Sequence, residues 1–181
     1  AGKQHPAGLN WLEHARGVAA ILRNLGVDDE AQAAAMLLGA DLPADREPLK
    51  ELFDNPVVEL VEATLEMGKI QLLRGRIALV DRRTERDRQL DVLRKMLLAM
   101  AQDIRVVMIK LADQLQILRA LTKCDAAPGR EVSGRETLEL FAPLANWMGI
   151  GQLKWELEDL AFQCLHLGDY RRLAAELDEN R

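Results

Sequence analysis

The sequence holds three histidines and two cysteines in 181 residues, few enough for each to be weighed as a ligand or nucleophile. Cys164 and His166 lie two apart, which on a helix sends them to different faces, so they do not make half of a zinc site. Cys124 lies far from both in sequence, without metal-type spacing, and the two thiols read as reduced in a cytoplasmic compartment. Arg74, Arg76, Arg82, Arg83, Arg86 and Arg88 form a dense cationic run, and guanidinium forks suit pyrophosphate. Asp81, Glu85, Asp87 and Asp91 offset that charge, and no aromatic residue interleaves to stack a base, so a solvated connector is the better reading. Trp147 and Trp155 are large enough to anchor a contact with a neighbouring domain or a second chain. On residue type alone, His14 reads as a structural histidine, and Asp113 as a solvated or capping carboxylate.

Helices must position these groups. Residues 9–25 place Leu12, Val18, Ile21, Leu22 and Leu25 mostly three and four apart, and Gly26 supplies a stop. Asp28 and Asp29 are N-cap candidates for an alanine-rich helix over 30–38, ended by Gly39. Pro43 makes 39–45 loop-like. A short helix over 48–53 precedes Asn55-Pro56, an N-cap with proline at the first helical position of a helix to about Met67. Residues 68–88 carry the weakest pattern, with Gly75 among the arginines. Leu90, Leu93, Leu97 and Met100 then form one stripe, and Ile104, Val107, Met108, Leu111, Leu115 and Leu118 another, with Asp103 as its cap. Residues 104–109 would pass for a strand by type, but helical spacing continues for fifteen residues. A turn at 126–129 leads to helices over 131–148 and 151–165, and a last one over 170–179.

Composition agrees. Hydrophobic residues make up 49% and aromatics only 4%, so the core is built from Leu, Ala, Val, Ile and Met, which favour helix over sandwich or barrel. The expected fold is all-α, with eight or nine helices in a compact bundle. A net charge of −5 argues against non-specific binding to nucleic acid or an anionic membrane. No apolar run approaches the ~18 residues of a membrane span, and no signal peptide stands at the N-terminus. The chain opens at Ala1 without a methionine and stops within charged residues 176–181, which reads as a piece of a longer protein.

Two blocks, residues 94–100 (RKMLLAM) and 103–113 (DIRVVMIKLAD), resemble helices of the metal-dependent HD-type hydrolase domain at the N-terminus of long RelA/SpoT (Rel) alarmone enzymes. Residues 141–146 (FAPLAN) and 149–159 (GIGQLKWELED) resemble the end of that domain, with a flavour of the synthetase-only RelA branch. The resemblance covers nearly the whole chain. It implies a degenerate HD domain over 1–167, and a helical linker over 168–181 toward a synthetase domain. In active members, the resemblance implies, a histidine on the first helix, a His-Asp pair after the second and a distant aspartate bind one divalent metal, usually manganese. Imidazole and carboxylate together suit that ion and leave room for water and phosphate.

His14 matches the first ligand and Asp113 the last. The His-Asp pair is replaced by Gly39 and Ala40, behind Leu37-Leu38. The Glu-Asp pair that works on water and phosphate in active members becomes Pro43 and Ala44, which cannot serve as acid or base. The asparagine and threonine that hold the nucleoside become Ile117 and Ala120. The base-contacting lead-in to the first helix becomes His5-Pro6-Ala7-Gly8, with Gly8 alone in agreement. A register shift would let Asp41 stand in as a ligand, with Asp45 nearby, but two surviving ligands rarely hold a metal tightly.

The resemblance thus implies a catalytically inactive pseudo-hydrolase domain of a RelA-type (p)ppGpp synthetase (GTP pyrophosphokinase), regulatory or structural toward the synthetase domain. No cofactor is expected in this chain, though active members use Mn²⁺. The implied partners are the following synthetase domain and, through the parent protein, the ribosome; homo-oligomerisation is open and no membrane is involved. The alternative is a divergent metal-dependent HD phosphohydrolase that cleaves the 3′-pyrophosphate of (p)ppGpp, built on His14, Asp113 and a carboxylate from Asp41 or Asp45. A pocket that senses guanine nucleotide without cleaving it is weaker, since Ile117 and Ala120 offer no polar contact.

Overall fold

A computed structural model describes residues 10–38, 47–77, 103–123 and 129–166. Among the described residues the chain is all helix, without strands. Gly39, Ala40, Asp41, Pro43, Ala44 and Asp45 lie outside them, as do the lead-in 5–8, the expected helix at 90–100, Cys124 and the proposed linker 168–181.

The described residues divide into two compact units, one drawn from residues 10–113 and the other from residue 114 onward. In the first unit, α1 (Trp11–Asn24) starts where Asn10 accepts a hydrogen bond from the Leu12 N–H at 2.8 Å. It ends at Gly26, whose φ of 72° is the left-handed conformation that a glycine adopts without strain. α1 buries His14, Ala15, Val18, Ala19, Ile21 and Leu22 along one face. α2 (Asp29–Leu38) is capped by Asp28, whose Oδ1 accepts from the Ala31 N–H at 2.9 Å, and it buries Ala31, Ala34 and Ala35 against α1. These alanines allow close approach of the helix axes. α3 (Glu47–Leu52) is short and packs on α4 (Asn55–Ile77).

α4 differs from expectation at both ends. It starts one residue earlier, because the Asp54 carbonyl already accepts the Val57 and Val58 N–H groups. Pro56 therefore sits second in the helix, where its missing donor costs nothing. The helix also runs ten residues past Met67 (77 − 67), into the stretch expected to be weak. Lys69, Gln71, Leu72, Leu73 and Arg74 are all good helix formers, and together they outweigh Gly68 and Gly75.

α5 (Ile104–Leu121) is capped by Asp103, whose Oδ1 accepts from the Arg105 N–H at 2.8 Å. It buries Val106, Val107, Ile109, Leu111, Ala112, Leu115 and Leu118, more of its circumference than one stripe. Ile104, read as part of the stripe, is exposed, because it is the first helical residue and lies beyond the packed turns. Residues 104–113 belong to the first unit and 114–121 to the second.

The second unit continues with α6, which comprises Arg130–Glu136, a π-helical turn Thr137–Phe141 and Ala142–Trp147. The sequence reads as one regular helix here. Pro143 explains the departure: a proline inside an α-helix clashes with the carbonyl four residues back, and the wider π turn accommodates it, with the Ala142 N–H reaching the Thr137 carbonyl. α7 (Gly151–Leu165) follows the turn at Gly149 and buries Leu153, Leu157, Ala161 and Cys164 against α6. Gly134 makes that contact close, since a Cβ there would stand 3.0 Å from the Ala161 carbonyl oxygen and from the Cys164 Cβ.

Candidate functional site

α1 and α5 bring His14 and Asp113 together. The imidazole Nε2 lies 2.7 Å from Asp113 Oδ1, while Lys110, one turn earlier on α5, places Nζ 2.7 Å from Oδ2. The His14 side chain is buried and that of Asp113 is 26% exposed. Burial pushes the Asp113 carboxyl up, but the Lys110 ammonium and the His14 hydrogen bond outweigh it and hold the group well below the usual carboxylate range. An ionised carboxylate only accepts, so His14 Nε2 carries the proton and donates. Both Asp113 oxygens thus have donors from this chain.

Among the described residues, His14 and Asp113 are the two implied ligand positions that meet, and no group of three or more His, Cys, Asp or Glu side chains stands together. Gly39 and Ala40, outside the described residues, have no side-chain donor to offer. Ile117 and Ala120 follow Asp113 on α5 four and seven residues on, positions that share a helical face, and both are apolar.

Sequence reasoning missed Lys110, although its three-residue spacing from Asp113 on one helix was a readable sign. It also missed three arrangements around the site's helices. Arg105 binds Asp103, Asp28 and Glu30 at 2.7, 3.1 and 2.6 Å, joining the start of α5 to the start of α2. Gln114, buried, donates to Thr137 Oγ1 at 2.8 Å and Ser133 Oγ at 3.0 Å, while the Thr137 hydroxyl donates to the Ser133 carbonyl at 2.7 Å. Arg130 is only 8% exposed, and its Nε and Nη2 have no hydrogen-bond partner among the described residues. Its charge draws the Cys164 thiol down, but burial prevails and the thiol is raised. Trp147 and Trp155 are 56% and 73% exposed.

The HD-domain profile matches residues 1–151. The chain belongs to the HD-domain family. A guanosine-3′,5′-bis(diphosphate) 3′-pyrophosphohydrolase of Haemophilus influenzae is 37% identical across 99% of this chain and 25% of its own length. The bifunctional (p)ppGpp synthase/hydrolase SpoT of Escherichia coli is 36% identical across 94% of this chain and 23% of its own. A GTP pyrophosphokinase of Haemophilus influenzae is 40% identical across 89% and 21%. This is an HD domain of the Rel type, and it spans about a quarter of the length of the curated relatives it matches.

Proposed function

We propose that this HD domain is a catalytically inactive pseudo-hydrolase module of a RelA-type (p)ppGpp synthetase, acting in the cytoplasm to bias the synthetase domain that follows it. The observation that carries the reading is the direct His14–Asp113 hydrogen bond at 2.7 Å, which engages the two surviving ligand positions with each other. Residue types support it: Gly39 and Ala40 cannot ligate, Pro43 and Ala44 cannot move a proton, and Ile117 and Ala120 cannot hydrogen-bond a nucleoside. Two ligands of this kind, already bonded to each other, do not fit a manganese site. Similarity to a GTP pyrophosphokinase supports a synthetase in the parent chain. In this reading residues 1–167 form the module and 168–181 lead on from it, the ribosome is met through the parent protein, and self-association is left to measurement.

A working hydrolase is the second reading, favoured by the relatives named pyrophosphohydrolases and by the carboxylates Asp41 and Asp45 beside the altered segment. Incubation of the purified chain with ppGpp and excess Mn²⁺ separates the two. The first reading expects no release of pyrophosphate above a protein-free control; turnover that disappears in Asp113→Asn would establish the second.

A further inference from the structure

The site poses a physical question that loss of catalysis leaves open. A charged carboxylate at the contact of two helices is costly unless something neutralises it and satisfies its lone pairs, a task that a bound cation performs in a metal site. In this chain both requirements are met by side chains. His14 Nε2–H donates to Oδ1 and the Lys110 ammonium to Oδ2, each at 2.7 Å, and Lys110 supplies a full positive charge. The proton on Nε2 occupies the position a metal would need on that nitrogen. The imidazole is buried in α1, while Lys110 and Asp113 sit one turn apart on α5, so the His14–Asp113 bond joins two helices across 99 residues of sequence and the Lys110–Asp113 pair holds the carboxylate in place from within α5.

We propose that His14, Asp113 and Lys110 form a metal-independent lock that fastens α1 to α5, so that this HD domain holds its site closed by internal ion pairing where a metal-dependent relative requires a divalent cation. The proposal rests on the reading of the site as non-catalytic, but asks something separate: what supplies the charge and the bonds that keep the helices in register.

Thermal unfolding of the 181-residue chain tests it, first after treatment with EDTA and then across a titration of Mn²⁺ to millimolar concentrations. The lock expects the same Tm throughout. It further expects His14→Ala and Lys110→Met each to lower Tm by about 3–8 °C, which is the size of a lost charge-assisted bond in a chain of this length. The double variant His14→Ala with Asp113→Ala should lose less than the two single losses added together, since one bond cannot be lost twice. A saturable rise in Tm of 2 °C or more with Mn²⁺ on the unmodified chain overturns the lock without recourse to any variant. Strict additivity of the pair overturns it too. Manganese stabilisation without ppGpp turnover would remove the lock and leave the non-catalytic reading standing, whereas turnover would remove that reading.

Discussion

Arg130 is held at 8% exposure with two of its three guanidinium nitrogens lacking hydrogen-bond partners among the described residues. A buried guanidinium with unsatisfied donors costs free energy that an apolar side chain of similar length would not. Arg130→Met is therefore expected to raise stability, by about 1 kcal/mol or more, measured as an increased urea midpoint at unchanged m-value. An unchanged or lowered midpoint would show that the guanidinium is compensated. The opposite sign is expected at Gln114, whose amide serves two acceptors: Gln114→Leu strips donors from Ser133 and Thr137 and should cost about 1–2 kcal/mol in the same measurement. At this scale the sequence was legible only in part. His14 and Asp113 could be named because ordered blocks around them resemble a known domain; residue type alone assigned them structural roles. Lys110, Gln114 and Arg130 were unreadable as site residues because an isolated lysine, glutamine or arginine on a helix is ordinarily solvated, and burial depends on neighbours far away in sequence.

Helix ends were legible wherever a local signal sets them. Gly26 with its positive φ, Asp28 and Asp103 all terminate or cap as their side chains dictate. What local signals could not supply was the tolerance of α4 for two glycines, or the π turn that absorbs Pro143 in α6. Close packing is the other feature of this kind. Gly134→Ala gains helix propensity of about 1 kcal/mol, but its Cβ would meet the Ala161 carbonyl oxygen at 3.0 Å, and a backbone atom inside α7 cannot move aside cheaply. The net result should be a lower Tm, by about 2–6 °C. The Arg105 network makes a pH-dependent prediction. The hydrogen bond from Arg105 holds the Asp103 carboxyl below its ordinary value. A carboxylate depressed in the folded state stabilises it above the unfolded value of about 4, and that contribution is lost as pH falls through the folded value. The stability lost in Arg105→Ala, about 1 kcal/mol, should hold steady from pH 7 to 5 and shrink below pH 4; a loss that stayed constant to pH 2.5 would detach it from Asp103.

At the scale of the whole molecule, the chain is about a quarter as long as its relatives, and the proposed role is an effect on the rest of such a protein. Bias of a neighbouring domain requires differential interaction with two states of that domain; packing equally well on both shifts nothing. The exposed Trp147 and Trp155 provide the kind of large, rigid side chains that make such an interaction strong. If the parent chain is a synthetase, as proposed, removal of residues 1–181 from it should change its rate of (p)ppGpp synthesis by roughly 5-fold or more, the usual range of an allosteric coupling of 1–3 kcal/mol. The sign of the change tells whether the module favours the inhibited or the active state. Asp113→Asn in the intact parent is the more discriminating arm. If the module acts through its folded shape, that variant loses stability but keeps the synthesis rate at temperatures where it remains folded. If instead the module acts by removing the product of its neighbour, the rate of net (p)ppGpp accumulation rises in the variant as it does in the deletion. Identical synthesis rates in the deletion, the variant and the intact parent would leave this HD domain without a regulatory role toward the synthetase.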